Sequence, residues 1–324
     1  MLAAVSGGPD STALLHLLCH LRQTYDITIG IAHLNHLLRP EEADRDSDFV
    51  RSLARKLALP SHIESTDINA LSKKERLSIE TAGRLARYDF FDRIADRYGY
   101  TKIATGHTRN DNAEQVLMNL IRGTGAKGLC GIPACRNHRI IRPMIGIAKT
   151  QILNYLNRNQ LRYMEDSSNS DPAFLRNRIR NQLIPALEQE YNSEVVESLT
   201  RVSRIMQMDN DYLDRESKKA FTDCRISRTA DSLDLSVPRL EALHPALQNR
   251  VLRRSIQTLK SNLNRISFAH LQEVIQFSFT APSGKSLDLP DQIRVYKKRE
   301  HIKIKKENRP LRDIGKANKR KRKR

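Results

Sequence analysis

Residues 2–15 read LAAVSGGPDSTALL, and no other stretch restricts the fold of this chain as strongly. A short apolar run, two glycines and a second apolar run predict a buried strand, a tight turn and the start of a helix. Gly7 and Gly8 let the backbone turn sharply and approach a ligand closely, and Pro9 suits the first position of a helix. Because the free amides of a helix start attract anions, the stretch predicts a phosphate site.

The hydroxyls of Ser6, Ser11 and Thr12 add hydrogen-bond donors to this loop. The loop is not a Walker A sequence, because no Gly-Lys-Ser or Gly-Lys-Thr follows at the required spacing. The dinucleotide fingerprint Gly-x-Gly-x-x-Gly is missing as well. A simpler interpretation is a turn that only caps a helix. The complete order of strand, SGGxDS and apolar helix favours the phosphate site.

The first part of the chain alternates strand patterns with helix patterns. Strands are predicted at 2–6, 27–34, 61–65, 102–105 and 140–142, and helices at 11–23, 41–58, 78–98, 110–122 and 149–159. This alternation predicts an α/β fold with a parallel, doubly wound sheet covered on both faces. Ligands of such sheets bind at the carboxyl ends of the strands. We therefore expect Ser6, His33, Gly106 and His107 to converge.

The pattern changes after about residue 190. Helices are predicted at 192–221, 237–260 and 267–279, and short strands at 285–289, 292–298 and 301–305. This predicts a helical linker and then a small α+β domain. The predicted division is a nucleotide-binding domain over 1–190, the linker over 191–225, the accessory domain over 226–310 and a basic tail over 311–324. The like charges of 316–324 predict a disordered end.

Composition narrows the class of partner. The chain of 324 residues carries a formal charge of +19, which suits a polyanion such as a nucleic acid. No apolar run approaches the roughly 18 residues of a membrane span, so we expect no membrane partner. The four cysteines form no CxxC pair. They predict free thiols in a reducing compartment, which points to the cytoplasm.

Three further motifs carry charged groups. Asp111 and Glu114 lie three apart, so both carboxylates share one helix face and could hold Mg²⁺ near a triphosphate. They could equally be acidic residues in a first helical turn, which the helix dipole favours. A glycine-rich loop over 121–129 carries Arg122 and Lys127. The third motif is EDSSN at 165–169, which is followed by three arginines, Arg176, Arg178 and Arg180.

The order of these motifs resembles the bacterial tRNA(Ile)-lysidine synthetases, a family of N-type ATP pyrophosphatases. SGGPDS is followed by HLNHLLR at 33–39, ARY at 86–88, ATGH at 104–107, RGTG at 122–125, Arg142-Pro143, EDSSN at 165–169 and RNRIR at 176–180. The SGGxDS loop is shared across the superfamily. The later pair, EDSSN and RNRIR, is diagnostic for this family.

The resemblance implies a ligase that uses ATP and Mg²⁺ to adenylate the wobble cytidine of a CAU-anticodon tRNA(Ile). The ε-amine of L-lysine would then displace AMP and give lysidine, which changes the codon read from AUG to AUA. The resemblance also favours a homodimer. In this interpretation pyrophosphate release and nucleophilic attack depend on positioning and charge neutralisation by the protein.

The implied roles fall on four groups of residues. The nucleotide-binding residues are Ser6, Gly7, Gly8, Pro9, Asp10, Ser11, Ala32 and His33. The implied catalytic residues are Asp10, His107, Asp111 and Arg122. The implied Mg²⁺ ligands are Asp111 and Glu114. The implied tRNA-binding residues are Arg176, Arg178 and Arg180.

The chain departs from the family pattern in two places. Asn110-Asp111 stands where the family has two acids, and Gln115 stands where it has threonine. We also expect a start upstream of residue 1, because relatives carry residues before the first strand, and one accessory domain where relatives have two. Two other functions remain open. A tRNA 2-thiolation enzyme would need catalytic cysteines, and a non-catalytic RNA-binding protein would not need the intact loop.

Overall fold

The computed structural model describes residues 1–37, 40–164 and 171–308. Three features of the sequence analysis lie outside these residues, namely Leu38-Arg39, the EDSSN motif at 165–169 and the basic end at 316–324. The described chain forms two compact units, Met1–Gln207 and Met208–Arg324. Among the described helices, none combines the length and apolar character that a membrane crossing requires.

The first unit is built on a mostly parallel sheet. Its strands in the described part of the chain are β1 (Leu2–Ala4), β2 (Gly30–Asn35), β3 (Ser61–Ser65), β4 (Ile103–Ala104), β5 (Cys135–Arg136) and β6 (Ile140–Ile141). Their order is β3-β2-β1-β4-β6-β5. All neighbours are parallel except β5, which pairs antiparallel with β6 at the edge. The predicted α/β class is confirmed, with one unpredicted antiparallel edge strand.

Helices connect these strands and cover the sheet. They are α1 (Pro9–Leu21), α2 (Pro40–Lys56), α3 (Ile68–Glu75), α4 (Ile79–Tyr98), α5 (Arg109–Ile121), α6 (Ala126–Leu129), α7 (Lys149–Arg158), α8 (Leu175–Arg178) and α9 (Ile184–Glu190). A π-helical turn, Ile179–Leu183, joins α8 to α9. The 30-residue α10 (Val195–Cys224) contains the boundary between the two units.

The central strand β1 shows why this sheet is buried on both faces. Ala3 packs with Leu14 and Leu15 of α1 in one apolar cluster. Leu2 packs with Phe90 of α4 in a second cluster on the opposite face. Successive side chains of a strand point to opposite faces, so a strand covered by helices on both sides must be apolar throughout. The run of apolar residues before Ser6 satisfies this condition.

The second unit contains an antiparallel sheet. Its described strands are β7 (Arg225–Arg228), β8 (Ser232–Ser236), β9 (Ser286–Leu289), β10 (Ile293–Lys297) and β11 (His301–Lys306), in the order β7-β8-β11-β10-β9. Its helices are α11 (Val237–Glu241), α12 (Pro245–Lys260) and α13 (Phe268–Thr280). The single helix predicted over 237–260 was wrong, because the chain breaks between α11 and α12. The strands β7 and β8 were not predicted.

Candidate functional site

The loop between β1 and α1 has the geometry of an anion site. Gly7 lies at φ +96°, in the region that favours glycine, and a side chain there would contact the Phe49 ring at 3.4 Å. Gly8 is the N-cap of α1 and Pro9 occupies its first turn. No side chain of the described residues caps this helix start. Because the first amides of a helix need partners, an anionic ligand fits the position.

The hydroxyls of the loop hold its shape. The Ser6 Oγ accepts the Gly8 amide at 3.3 Å, and the Ser11 Oγ donates to the Gly8 carbonyl at 3.0 Å. The Thr12 Oγ1 donates to the Gly7 carbonyl at 3.2 Å. These bonds stiffen the turn and fix its backbone groups. The loop is therefore preorganised before any ligand arrives.

Asp10 lies at the start of α1 and is paired with a lysine that the sequence analysis did not select. The Nζ of Lys149 donates to both carboxylate oxygens of Asp10 at 2.6 Å. Burial raises the pKa of Asp10, while the bonds from Lys149 oppose the rise. Lys149 is the first residue of α7, 139 positions away in the chain. Sequence spacing gave no signal for this pair, because only the packing of α7 against α1 creates it.

Gly106 lies where the end of β4 passes the start of α1. A Cβ atom on Gly106 would lie 3.1 Å from the Asp10 carbonyl carbon and oxygen and from the Ser11 nitrogen. Such contacts are tighter than most Cβ contacts in proteins, so the backbone of Asp10 and Ser11 would have to shift by a few tenths of an ångström. The glycine of the ATGH motif therefore permits the close approach of the two predicted site segments.

His107 follows Gly106 and is neutral at physiological pH. Its Nδ1 lies 2.9 Å from the Thr105 Oγ1. Burial, with help from nearby arginines, lowers its pKa to about 4 even though Asp111 opposes the shift. A neutral imidazole can orient a substrate group by hydrogen bonding, and its low pKa makes it a weak base.

Ala32 and His33, the predicted adenosine contacts, are buried in β2. Ala32 has no exposed surface and His33 is 5% exposed. The His33 Nδ1 lies 2.8 Å from the Val5 carbonyl oxygen, directly before the loop. Because a carbonyl oxygen only accepts, the His33 Nδ1 donates in this bond, and burial lowers the pKa of the ring. His33 therefore ties the end of β2 to the start of the anion site.

Asp111 and Glu114 do share one face of α5, as predicted, and both are held by arginines. Arg176 donates to Asp111 Oδ1 at 2.9 Å and to Glu114 Oε2 at 2.7 Å. Arg180 donates to Asp111 Oδ1 at 3.0 Å and to Glu114 Oε1 at 2.6 Å. The side chain of Glu114 is only 1% exposed. A buried carboxylate needs such compensation, and forked guanidinium pairs supply it.

Asp111 has a second role as the N3 residue of a capping box. Its Oδ2 accepts the Thr108 amide at 2.8 Å and the Thr108 hydroxyl at 2.9 Å. Burial tends to raise the pKa of Asp111, but Arg176, His107, Thr108 and Arg180 together lower it. The carboxylate is therefore charged, and its oxygens already have partners.

The residues present fit a nucleotide more readily than a complete metal cage. In the described chain, no group of three or more His, Cys, Asp or Glu side chains is placed to hold a metal ion. Mg²⁺ is commonly held by one or two carboxylates together with substrate phosphates. Asp10, whose side chain is 28% exposed beside the loop, fits that arrangement once Lys149 moves away from its carboxylate oxygens. Asp111 and Glu114 would become available only after Arg176 and Arg180 moved.

The remaining predicted residues lie on the surface of the first unit. Arg122 is exposed and follows the last residue of α5. Arg178 is exposed, and its Nη1 donates to the Pro172 carbonyl at 2.9 Å. Neither joins the cluster formed by Asp111, Glu114 and their arginines.

The chain is similar to proteins of known families. A family model described as a PP-loop domain matches residues 1–187, and one described as a TilS substrate binding domain matches 235–300. The chain is 36% identical over 294 residues to a tRNA(Ile)-lysidine synthase of Clostridium tetani, covering 91% of this chain and 62% of the relative. It is 36% identical over 297 residues to one from Geobacter sulfurreducens, covering 91% and 62%.

The chain thus spans a little under two thirds of the length of these curated relatives. Among solved structures, it is similar to the U34-tRNA thiolase NcsA from Methanococcus maripaludis with its 4Fe-4S cluster. That similarity has a TM-score of 0.49 at 19% identity, and it covers 64% of this chain and 72% of the other.

Proposed function

This chain belongs to the PP-loop family, and from that membership we propose that it is an ATP-dependent ligase that forms lysidine on tRNA(Ile). The reaction would adenylate the 2-carbonyl oxygen of the wobble cytidine in a CAU anticodon and release pyrophosphate. The ε-amine of free L-lysine would then displace AMP. The observation that carries the proposal is the uncapped start of α1 beside Asp10 and Gly106.

The protein's contribution would be positioning and charge. The loop at Gly7 and Gly8 would hold phosphate oxygens through backbone amides, with Ser6 and Ser11 keeping that loop in shape. Mg²⁺, when bound, would offset the phosphate charge. Asp10 would hold it first, and Asp111 and Glu114 are the predicted further ligands. Ala32 and His33 would border the adenosine.

Several charged groups would act on the transferring centre. His107 would orient the substrate as a neutral hydrogen-bonding group. Arg122 would stabilise the adenylate or an RNA phosphate, and Arg178 would contact tRNA. Arg176 and Arg180 would contact tRNA only after leaving their carboxylate partners. We also propose a cytoplasmic location and a homodimer, as expected from the sequence.

The thiolation alternative gains no support from the cysteines. Cys130 Sγ donates to the Ala126 and Met206 carbonyls, and Cys224 is buried in the second unit. Within the described residues no cluster of three potential metal-binding side chains includes them. A 2-thiolation enzyme with catalytic cysteine pairs would need a different arrangement.

Labelled lysine tests the proposal. The full chain should incorporate lysine into a transcript of tRNA(Ile) with a CAU anticodon, with ATP consumed and AMP released. The methionine tRNA with the same anticodon should remain unlabelled. Asp111→Asn, which keeps an acceptor for the Thr108 cap, should fold and lose most activity. Labelling of the methionine tRNA, or no lysine-dependent AMP release, would refute the proposed function.

A further inference from the structure

Three arginines contact Tyr88 in the first unit and a fourth, Arg87, precedes it in the chain; we name this group the Tyr88 arginine patch. The Arg136 guanidinium lies 5.0 Å from the centre of the Tyr88 ring and that of Arg84 lies 5.7 Å from it. The Arg142 Nη2 donates to the Tyr88 hydroxyl at 3.5 Å. Arg87 precedes Tyr88 on α4. Arginine stacked on an aromatic ring is held in place without a carboxylate.

The patch lacks negative partners within the described residues. No carboxylate there lies within ion-pair distance of Arg84, Arg87, Arg136 or Arg142. Other arginines nearby are paired: Arg93, also on α4, bonds Glu64 at 2.7 Å. Paired surface arginines are already neutralised, whereas an unpaired group of four leaves a strong local positive potential.

Buried donors in the patch also lack partners. The Nε of Arg142, a residue only 4% exposed, has no hydrogen-bond acceptor among the described residues. The same holds for the buried Nδ1 of His36, whose Nε2 faces the Arg87 guanidinium at 3.2 Å. Buried donors without partners are costly, so these groups favour a bound acceptor.

The patch lies close to the candidate site. Arg87 and Arg142 both act electrostatically on His107, at the end of β4. The arginines predicted to bind RNA, Arg176 and Arg180, are instead committed to Asp111 and Glu114. The patch therefore supplies cations near His107 that no carboxylate of the described residues neutralises.

We propose that the Tyr88 arginine patch binds phosphates of the single-stranded RNA loop that carries the target nucleotide into the site. This rests on the proposed function, which makes an RNA loop the substrate. Arg84 and Arg87 lie three apart on one helix and are solvent-exposed, so they can contact successive phosphates. Several guanidiniums clustered at one half-buried aromatic ring match an RNA strand better than a single carboxylate.

Salt-dependent tRNA binding tests this assignment. In the double variant Arg84→Gln/Arg136→Gln, the slope of log affinity against log salt should shrink by about 1.5, because two phosphate contacts are lost. Affinity should also fall at every salt concentration tested. The charge-preserving variant Arg84→Lys/Arg136→Lys should keep most of the wild-type slope. The matched control Arg93→Gln removes a paired arginine from the same helix and should change neither quantity.

Three results would overturn the inference. An unchanged slope and affinity in a folded double Gln variant would show that RNA does not contact the patch. A raised KM for lysine with unchanged tRNA affinity would assign the patch to the amino-acid carboxylate. If the Arg93→Gln control lost as much tRNA affinity and salt dependence as the double Gln variant, the effect would come from net charge and not from the patch. If the wild-type chain bound no tRNA at all, the proposed function itself would fail, which separates the two claims.

Discussion

The carboxylates of α5 show what spacing can and cannot predict at the level of single residues. The three-residue separation of Asp111 and Glu114 correctly placed both on one helix face. Their partners, Arg176 and Arg180, were predicted to bind tRNA from the family resemblance. The ion pairs join positions more than 60 apart. Only the tertiary fold brings them together, and burial of Glu114 then requires them.

Gly106 supports the first residue-level prediction. In Gly106→Ala the added methyl group would press on the backbone of Asp10 and Ser11 at 3.1 Å. We expect a loss of about 1 to 3 kcal/mol in the free energy of unfolding. We also expect weaker Mg·ATP binding, because the start of α1 must shift. Urea unfolding and calorimetric titration measure the two effects.

Gly146→Ala is the matched control, because a Cβ atom on Gly146 meets no atom within 4 Å. Its stability and nucleotide affinity should equal those of the wild type. If Gly106→Ala and Gly146→Ala had the same stability and the same nucleotide affinity, the close approach at Gly106 would be contradicted.

His36 supports a prediction about pH. Burial, aided by the positive charge of Arg87, lowers its pKa from 6.5 to about 4. Below pH 6.5 the unfolded chain takes up a proton that the folded chain does not. Stability should therefore fall as the pH drops from 6.5 toward 4, by on the order of 2 kcal/mol at pH 5 from this ring. His36→Gln should show a smaller loss between pH 7.5 and 5 in urea unfolding. The same loss in both proteins would be inconsistent with a buried neutral ring.

At the level of elements, most predicted segments match the structure, whereas the strands β5, β7 and β8 were missed. The strand over 61–65 matches β3, and the helix over 78–98 matches α4 with Ser78 as its N-cap. The edge strand β5 is two residues long and has no detectable alternation. Its antiparallel pairing with β6 depends on a turn at Asn137 and His138, both at positive φ.

The break between α11 and α12 has a local cause. The apolar residues of 237–260 continue at helical spacing, which predicted one helix. His244, however, adopts a cap conformation, and its Nδ1 accepts the Ala246 amide at 3.2 Å. Pro245 then begins α12, where its missing N–H costs nothing. Pro245 was therefore the sequence signal for a helix start, but the helical spacing of the apolar residues on both sides of it favoured a single helix.

The cap of α5 gives an element-level prediction. Thr108→Ala removes the hydroxyl that accepts the Asp111 amide and donates to the Asp111 carboxylate. We expect a loss of about 1 kcal/mol in stability together with reduced lysidine formation, because Asp111 loses its anchor. Thr108→Ser should restore both.

Ser78→Ala provides the comparison for this cap. Ser78 caps the start of α4 in the same way, through the Thr81 amide at 3.2 Å, and it is exposed. Its removal should cost similar stability and leave activity intact. Similar activity losses in Ser78→Ala and Thr108→Ala would show that the effect arises from stability alone.

At the level of the whole chain, the sequence predicted two folded parts and a basic surface. The first unit holds the loop of the PP-loop family, and the second carries the region that matches a substrate-binding domain. The predicted boundaries at 190 and 226 remain proposals. The net charge of +19 indicated a polyanionic partner but could not say where it binds. The binding location of the polyanion depends on which arginines the fold leaves without a carboxylate partner. No pattern in the sequence identifies those arginines.

The products made from ATP test the central claim most directly. The account requires cleavage between the α- and β-phosphates, because the loop before α1 is proposed to hold the departing pyrophosphate. With the full chain, tRNA(Ile) bearing a CAU anticodon and no lysine, γ-labelled ATP should yield labelled pyrophosphate and α-labelled ATP should label the tRNA. Release of labelled inorganic phosphate with formation of ADP would contradict the account.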